Sequence, residues 1–397
     1  MEKPAVEGGS PVRTSKLYYG HQYLDEADIE AVVRVLCSDT LTCGPEITKL
    51  EQRLCELTGA GHAAVVSNGT AALHVACQAA GIQEGDEVIT TPITFAASAN
   101  CALYCGARPV FADINPHTYN IDPACVAEKI TDATKAVVAV DFTGQAAELD
   151  ALLSLCRERG ILLIEDAAHS IGTRYGGRPV GSIADMTTFS FHPVKTVTGG
   201  EGGAVLTNDS DLYTRIGLFR AHGITRDESL LEHKSQGGWY YEQLALGMNY
   251  RMTDIQAALI GSQLDKLELF SRRRSQIVSR YNEAFARIPE VVVQQEIEQS
   301  ETTRHLYILR LRPERLTIDR KQFFDAMAAE NICCNVHYIP VYWHPYYEHL
   351  GYEKGLCPEA EKLYGEMMSL PLYYSMTDQD VSDVIEAVRK LCTYYRK

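Results

Sequence analysis

Between about residue 25 and residue 207 the chain alternates amphipathic helical stretches with short runs of apolar and β-branched residues. That alternation restricts the fold more than any other feature. DEADIEAVVRVLCSD places acidic residues where a helix N-terminus attracts them and spaces its apolar positions at a helical period. EITKLEQRLCELTGA repeats the pattern and ends near Gly59. Seven β-rich runs follow: HAAVVS (62–67), EVITT (87–91), RPVFAD (108–113), KAVVAVD (135–141), ILLIED (161–166), MTTFSF (186–191) and GAVLTN (203–208). Helical stretches such as TAALHVACQAAG and AELDALLSLCRERG separate most of them. Strands this uniformly apolar belong in a mainly parallel sheet covered on both faces, an α/β arrangement. In such a sheet, ligands bind where the loops gather at the carboxyl ends of the strands.

Past that region, Thr253 to about Ile288 reads as one long helix suited to bridging two units. A strand (HLYILRL), helices near 320–330, 357–367 and 377–393, and a Tyr/His/Pro-rich loop make up a compact α+β cap. The expected division is a flexible tail over residues 1–15, a large domain over 16–260, and a bridging helix with a small C-terminal domain over 261–397. The N-terminus, MEKPAVEGGSPVRTSK, lacks the apolar centre of a signal peptide, and no apolar run approaches the ~20 residues that span a bilayer. The expected location is the cytoplasm, with no membrane partner.

Acidic residues outnumber basic ones 52 to 37, for a net charge of −15, so the basic face that a nucleic-acid binder needs is missing. The one basic run, Arg272-Arg273-Arg274, reads as a solvated helix face. The twelve cysteines sit inside apolar segments (Cys37, Cys55, Cys77, Cys101, Cys156) or form the vicinal pair Cys333-Cys334. Without a CxxC or a Cys/His group at zinc spacing, they read as small core residues in a reducing compartment, and no metal site is expected.

Three segments carry chemistry. Ser67-Asn68-Gly69-Thr70-Ala71 follows a strand and opens a helix, so its backbone N–H groups and the helix dipole converge where a phosphate fits. Taken alone, the loop is better explained as a plain N-cap. Asp166 ends the buried strand ILLIED, where a carboxylate faces the ligand crevice or simply caps the next turn. Beside a pyridine ring, such a carboxylate keeps the ring nitrogen protonated, which lets the ring accept electrons from a carbanion. In FSFHPVKTVTGGEGGA (189–204) a strand delivers Ser190 beside the phosphate, and Lys195 sits between apolar residues and a glycine-rich loop. Lysine is the side chain that bonds an aldehyde cofactor as an imine, because its amine is nucleophilic once neutral. Each signal has a bland alternative, but the ordered set of phosphate loop, aspartate and lysine does not.

The stretches LCSDTLTCGP, VVSNGTAAL, TPITFAASAN, IEDAAHSIG, FSFHPVK, GGEGGAVLTND, FRAHGI, LGMNYRMTDIQAAL and VHYIPVY together resemble the DegT-type sugar-nucleotide aminotransferases. These are fold-type I enzymes dependent on pyridoxal 5′-phosphate (PLP), and the likeness runs over nearly all of residues 17–390. The resemblance implies that Lys195 holds PLP as a Schiff base and that Asp166 pairs with the pyridinium nitrogen. It places Gly69, Thr70 and Ser190 at the phosphate, Phe95 against the ring, and His169 near the ring's 3-hydroxyl. Asn249 matches a residue that reaches the phosphate from a second subunit, which implies a homodimer with shared sites. Tyr19, the segment Asp39-Thr40-Leu41-Thr42, and the segment His337-Tyr338-Ile339-Pro340 match substrate-contacting positions. The alternative for the last of these segments, a lesser one, is a Pro/aromatic surface loop. Arg251 is a candidate anchor for the donor's carboxylates.

The YYGHQYLDEADI start, Thr196 with the glycine-rich run after Lys195, and the HYIPVY loop are similar to the branch serving pseudaminic acid synthesis. That implies amino transfer from L-glutamate to C4 of a UDP-4-keto-6-deoxy-N-acetylhexosamine. A sister aminotransferase of a bacillosamine or dTDP-amino-sugar pathway is the alternative. Related dehydratases carry histidine at the lysine position, which Lys195 opposes. A non-enzymatic regulator on the same fold would tolerate loss of Lys195, Asp166 or the phosphate loop, and all three are present.

Overall fold

All seven β-rich runs form strands of a single sheet in a computed structural model that describes residues 2–397. They are β1 (His62–Val66), β2 (Glu87–Thr90), β3 (Arg108–Phe111), β4 (Thr134–Val140), β5 (Leu162–Asp166), β6 (Met186–Ser190) and β7 (Gly203–Thr207). Their spatial order is β1-β7-β6-β5-β4-β2-β3. The pairs β6–β5, β5–β4, β4–β2 and β2–β3 are parallel, and β7 runs antiparallel to both of its neighbours. This is the mainly parallel sheet of fold-type I.

Neighbouring residues on each strand enter different cores, which is why the strands read as unbroken apolar runs. Val65, Ile89, Val137 and Leu163 pack on one face; Ala64, Val88, Val138 and Ile164 pack on the other. The covering helices of this unit are α1 (Glu26–Leu36), α2 (Pro45–Thr58), α3 (Gly69–Ala79), α4 (Ala97–Tyr104), α5 (Pro123–Lys129), α6 (Leu149–Arg159), α7 (Ser210–Arg220) and α8 (Asp254–Leu264). The start of α1 is fixed by a capping box between Asp25 and Asp28, and that of α8 by one between Thr253 and Gln256.

The stretch expected as one long helix is two. Helix α8 ends at Leu264 and α9 (Leu267–Phe285) begins after two intervening residues. Side chains at the break are committed to α1: Lys266 Nζ reaches Asp25 Oδ1 at 2.6 Å and Asp28 Oδ2 at 2.7 Å, and Gln263 Nε2 donates to Asp28 Oδ2 at 2.7 Å.

Beyond α9 lies a smaller unit of three antiparallel strands, β8 (Val291–Val293), β9 (Tyr307–Leu311) and β10 (Met367–Leu370), in that spatial order. Helices α10 (Arg320–Ala329), α11 (Pro345–His349), α12 (Pro358–Glu366) and α13 (Asp378–Tyr394) complete it. Tyr281, Phe285, Leu309, Phe323, Met327 and Val388 form its separate core. Residues 2–15 are docked on this unit, where the sequence pointed to a free tail; Glu330 accepts hydrogen bonds from Ala5 N and Val12 N, both at 2.8 Å. Among the described residues, no helix is long and apolar enough to cross a membrane.

Candidate active site

The carboxyl ends of β1, β5 and β6 open on a cavity of about 750 Å³ between the two units. At one end, β1 runs through Ser67 and Asn68 into α3. Asn68 Oδ1 accepts from Ala71 N at 2.8 Å, which leaves the first-turn N–H groups of Gly69 and Thr70 without a partner inside the helix. A Cβ on Gly69 would stand 2.8 Å from Ser190 Cβ, so only glycine lets this helix start lie against the end of β6. Backbone donors, the Thr70 and Ser190 hydroxyls and the positive end of α3 thus form one anion cradle.

Asp166 ends β5 and is 5% exposed. Its Oδ2 accepts from Ser98 Oγ at 2.6 Å and its Oδ1 from Ala168 N at 3.2 Å. Burial pushes its pKa above the ordinary carboxylate value, while these two donors and the Lys195 charge pull it back down. Lys195 follows β6 in a turn closed by its own N–H to His192 O (2.9 Å), and the glycine-rich loop returns to donate Gly199 N to Phe191 O. Desolvation lowers the Lys195 amine from 10.5 to about 8, against the opposing pull of Asp166. At pH 7 that leaves about a tenth of the amine neutral, against roughly three parts in ten thousand for a free lysine.

Phe95, at the N-terminal side of α4, stays 63% exposed although it lines the cavity, and so offers an open aromatic face. His169 is buried next to Asp166, with its Nε2 3.2 Å from Tyr338 Oη and its ring 4.5 Å from that of His305. Ser170 Oγ donates to Asp141 Oδ2 at 2.5 Å and anchors the turn that carries His169. From the small unit, His337 bonds Ser369 Oγ through Nδ1 at 2.7 Å, and its ring lies 5.3 Å from the Tyr19 ring.

Burial drives all three histidines toward the neutral form; His169 and His305 fall well below 6.5, and His337 falls to about 4, with the Lys195 charge adding to the effect. A folded pKa below the unfolded one means that the unfolded chain binds more protons in between. The contribution from His337 is therefore complete above about pH 6.5 and is lost as the pH falls toward 4. Its full size is roughly 3 kcal/mol. Thermal melts should show the melting temperature dropping across that window, and His337→Asn should flatten the drop. An unchanged slope in the variant would contradict this assignment.

Of the residues singled out in the sequence, Tyr19, Gly69, Thr70, Phe95, Asp166, His169, Ser190, Lys195, His337 and Tyr338 line this one cavity. Asp39, Thr40, Leu41 and Thr42 do not. They form an exposed loop between α1 and α2, tied by Asp254 N to Leu41 O. Ile339 points away, half-exposed, and Pro340 is buried outside the cavity. Asn249 is exposed and bridges Ala221 through its backbone; neither it nor Arg251 lines the cavity of its own chain. Sequence reasoning missed Ser98, Tyr250 and Asn335, which do line it; His192, delivered with Ser190 by the strand before Lys195, lines it too. Ser98 was within reach, since it stands one helical turn beyond Phe95.

The cavity fits PLP: an anion cradle for the phosphate, a buried carboxylate for the ring nitrogen, an aromatic face for the ring, and a desolvated amine for the aldehyde. Known proteins agree. The model of the DegT/DnrJ/EryC1/StrS aminotransferase family matches residues 22–389. The spore coat polysaccharide biosynthesis protein SpsC of Bacillus subtilis is 40% identical over 96% of this chain and 98% of its own. A UDP-4-amino-4,6-dideoxy-N-acetyl-β-L-altrosamine transaminase of Campylobacter jejuni is 36% identical over 96% and 98%. Among solved structures, Helicobacter pylori PseC, an aminotransferase involved in pseudaminic acid biosynthesis, superposes with a TM-score of 0.89 at 31% identity, covering 96% of this chain and all of PseC. The PLP form of Spr1654, a putative sugar aminotransferase of Streptococcus pneumoniae, gives 0.88 at 30%, covering 96% and 99%. The chain belongs to the DegT/DnrJ/EryC1/StrS aminotransferase family and is a PLP-dependent sugar aminotransferase.

Proposed function

We propose that the chain moves an amino group from L-glutamate to C4 of a UDP-4-keto-6-deoxy-N-acetylhexosamine, in a pathway leading to pseudaminic acid. The observation that carries the reading is one cavity holding Lys195, Asp166 and the anion cradle together. The Campylobacter transaminase and PseC support the choice of acceptor.

When bound, PLP supplies an electron sink for the carbanion formed at the amino-bearing carbon. Gly69, Thr70 and Ser190 would hold its phosphate, Phe95 would lie against its ring, and His169 would sit near the ring's 3-hydroxyl. Asp166 holds the proton on the ring nitrogen; Ser98 and Ala168 N–H steady that carboxylate. Lys195 would hold the cofactor aldehyde and, once its amine is free, would take the α-proton of the donor and later give it up again. With the keto-sugar it performs the same transfers in reverse, ending with a proton placed at C4. Its pKa near 8 suits both directions, because neutral and charged forms are close in energy at working pH.

A homodimer with shared sites belongs to this proposal. Lys195 is the one Lys or Arg among the residues lining the cavity, yet the cofactor phosphate, two donor carboxylates and a diphosphate all need positive partners. Exposed Asn249, flanked by exposed Trp239, Tyr241, Leu246 and Met248, is placed to meet a second copy. Arg251 would then serve the partner's cavity. The loop at residues 39–42, outside its own chain's cavity, would be used in the same way.

The 40% identity to SpsC, above the 36% to the Campylobacter enzyme, favours one second reading: a sister aminotransferase acting on another nucleotide keto-sugar. Incubating the protein with glutamate and a panel of UDP- and dTDP-4-keto-sugars, with the product identified by NMR, separates the two. Amination of the UDP-N-acetylhexosamine substrate alone supports the proposal; amination of a dTDP-sugar in its place overturns it.

A further inference from the structure

The cavity wall formed by Tyr19 hangs on residues 2–16, and a buried ion pair holds that strap. Glu330, just past α10, is 0% exposed, and Lys390 on α13 is 4% exposed. Glu330 Oε1 accepts from Ala5 N and its Oε2 from Val12 N, while Lys390 Nζ lies 3.1 Å from Oε2 and donates to Ser10 O at 2.7 Å. Between these anchors the chain turns tightly. Gly8 has φ +89°, and a Cβ on Gly9 would fall 1.8 Å from Lys3 O, so the Gly-Gly pair is required by shape. Asn331 Nδ2 donates to Arg13 O at 2.7 Å, and Arg13 spans Asp380 and Asp383.

The strap then runs into the site. Leu17 N donates to Asn331 O, Cys333 N donates to Leu17 O, and Leu372 N donates to Tyr19 O. Residues 335–338, which continue the run paired with the strap, supply Asn335, Val336, His337 and Tyr338 to the same wall. Desolvating a Glu–Lys pair is costly, and such pairs add little net stability; their attested use is to set register. Here the register is that of two segments meeting at Tyr19 and His337.

We propose that Glu330 is a positioning residue that acts through the strap to set the fit of the acceptor sugar nucleotide. The inference rests on the nucleotide-sugar reading of the cavity. The phosphate, carboxylate and amine end is built from residues 68–71, 166, 190 and 195, which make no hydrogen bond to the strap; the link between the two ends is His169, whose Nε2 lies 3.2 Å from Tyr338 Oη, and a small amino donor has less to lose from a displaced outer wall than a nucleotide sugar.

Two variants test it: deletion of residues 2–13, and Glu330→Gln, which keeps the shape but loses the charge facing Lys390. The half-reaction with glutamate alone, followed by cofactor absorbance, is measured beside steady-state turnover of a UDP-4-keto-6-deoxy-N-acetylhexosamine. The expected result is an acceptor KM raised about tenfold by the deletion and several-fold by Glu330→Gln, with the kcat and the glutamate half-reaction within about twofold of the parent. An unchanged acceptor KM with the half-reaction intact overturns the proposal. So does a parallel loss of both reactions with a lowered melting temperature, which would make the strap a general brace. A parent chain that takes no amino group from glutamate contradicts the functional reading itself, before any variant is compared.

Discussion

Lys195→Ala is expected to lower transaminase turnover by about four orders of magnitude or more while leaving a folded protein that still binds the cofactor. The size follows from two losses at one atom. Among the described residues lining the cavity, Lys195 carries the one amine able to bond an aldehyde as an imine, and the same nitrogen carries the proton between two carbons. His169, His305 and His337 are nearby, but burial holds each of them neutral and well below working pH. The phosphate cradle, Asp166 and Phe95 remain in the variant, so cofactor absorbance after dialysis should persist in non-covalent form. Steady-state rates with glutamate and a keto-sugar, measured beside a thermal melt, check this. Turnover within tenfold of the parent would remove Lys195 from the chemistry.

Asp166→Asn is expected to reduce kcat by about 10²- to 10⁴-fold with little change in melting temperature. The amide keeps the volume of the carboxylate; its one oxygen can accept from Ala168 N, and its NH2 group can donate to Ser98 Oγ, a hydroxyl that accepts as well as donates. What it loses is the negative charge that holds a proton on the ring nitrogen in a desolvated place. A buried carboxylate is costly to the fold, and burial pushes its pKa upward against the pull of its hydrogen-bond donors and Lys195. Stability is therefore expected to hold or rise slightly as activity falls. A variant with normal kcat and altered stability would reverse the assignment and make Asp166 a structural cap. Single-turnover absorbance changes with glutamate separate slow proton transfer from slow product release.

The sheet was legible because its signal is local. Seven apolar runs, each bounded by turn residues and separated by helical periods, became seven strands, since each strand buries both faces. Phosphate loop, aspartate and lysine were legible for a related reason: a parallel sheet brings the ends of its strands to one edge. The misreadings share a physical cause. The α8–α9 break is made by Gln263 and Lys266 reaching the acids at the start of α1, a tie between distant segments that periodicity does not encode. Residues 2–15 looked free because they are polar and glycine-rich, yet their backbone satisfies a buried glutamate more than 300 residues away. The 39–42 loop was read as contacting substrate, yet it lies outside the cavity of its own chain.

One measurement bears on the central claim most directly. The protein purified with PLP is reduced with borohydride, digested, and its peptides weighed. The account predicts that the cofactor's mass is fixed to the peptide containing Lys195, and that this mass is absent after prior treatment with glutamate converts the cofactor to its amine form. Cofactor found on another lysine, or on none, would contradict it.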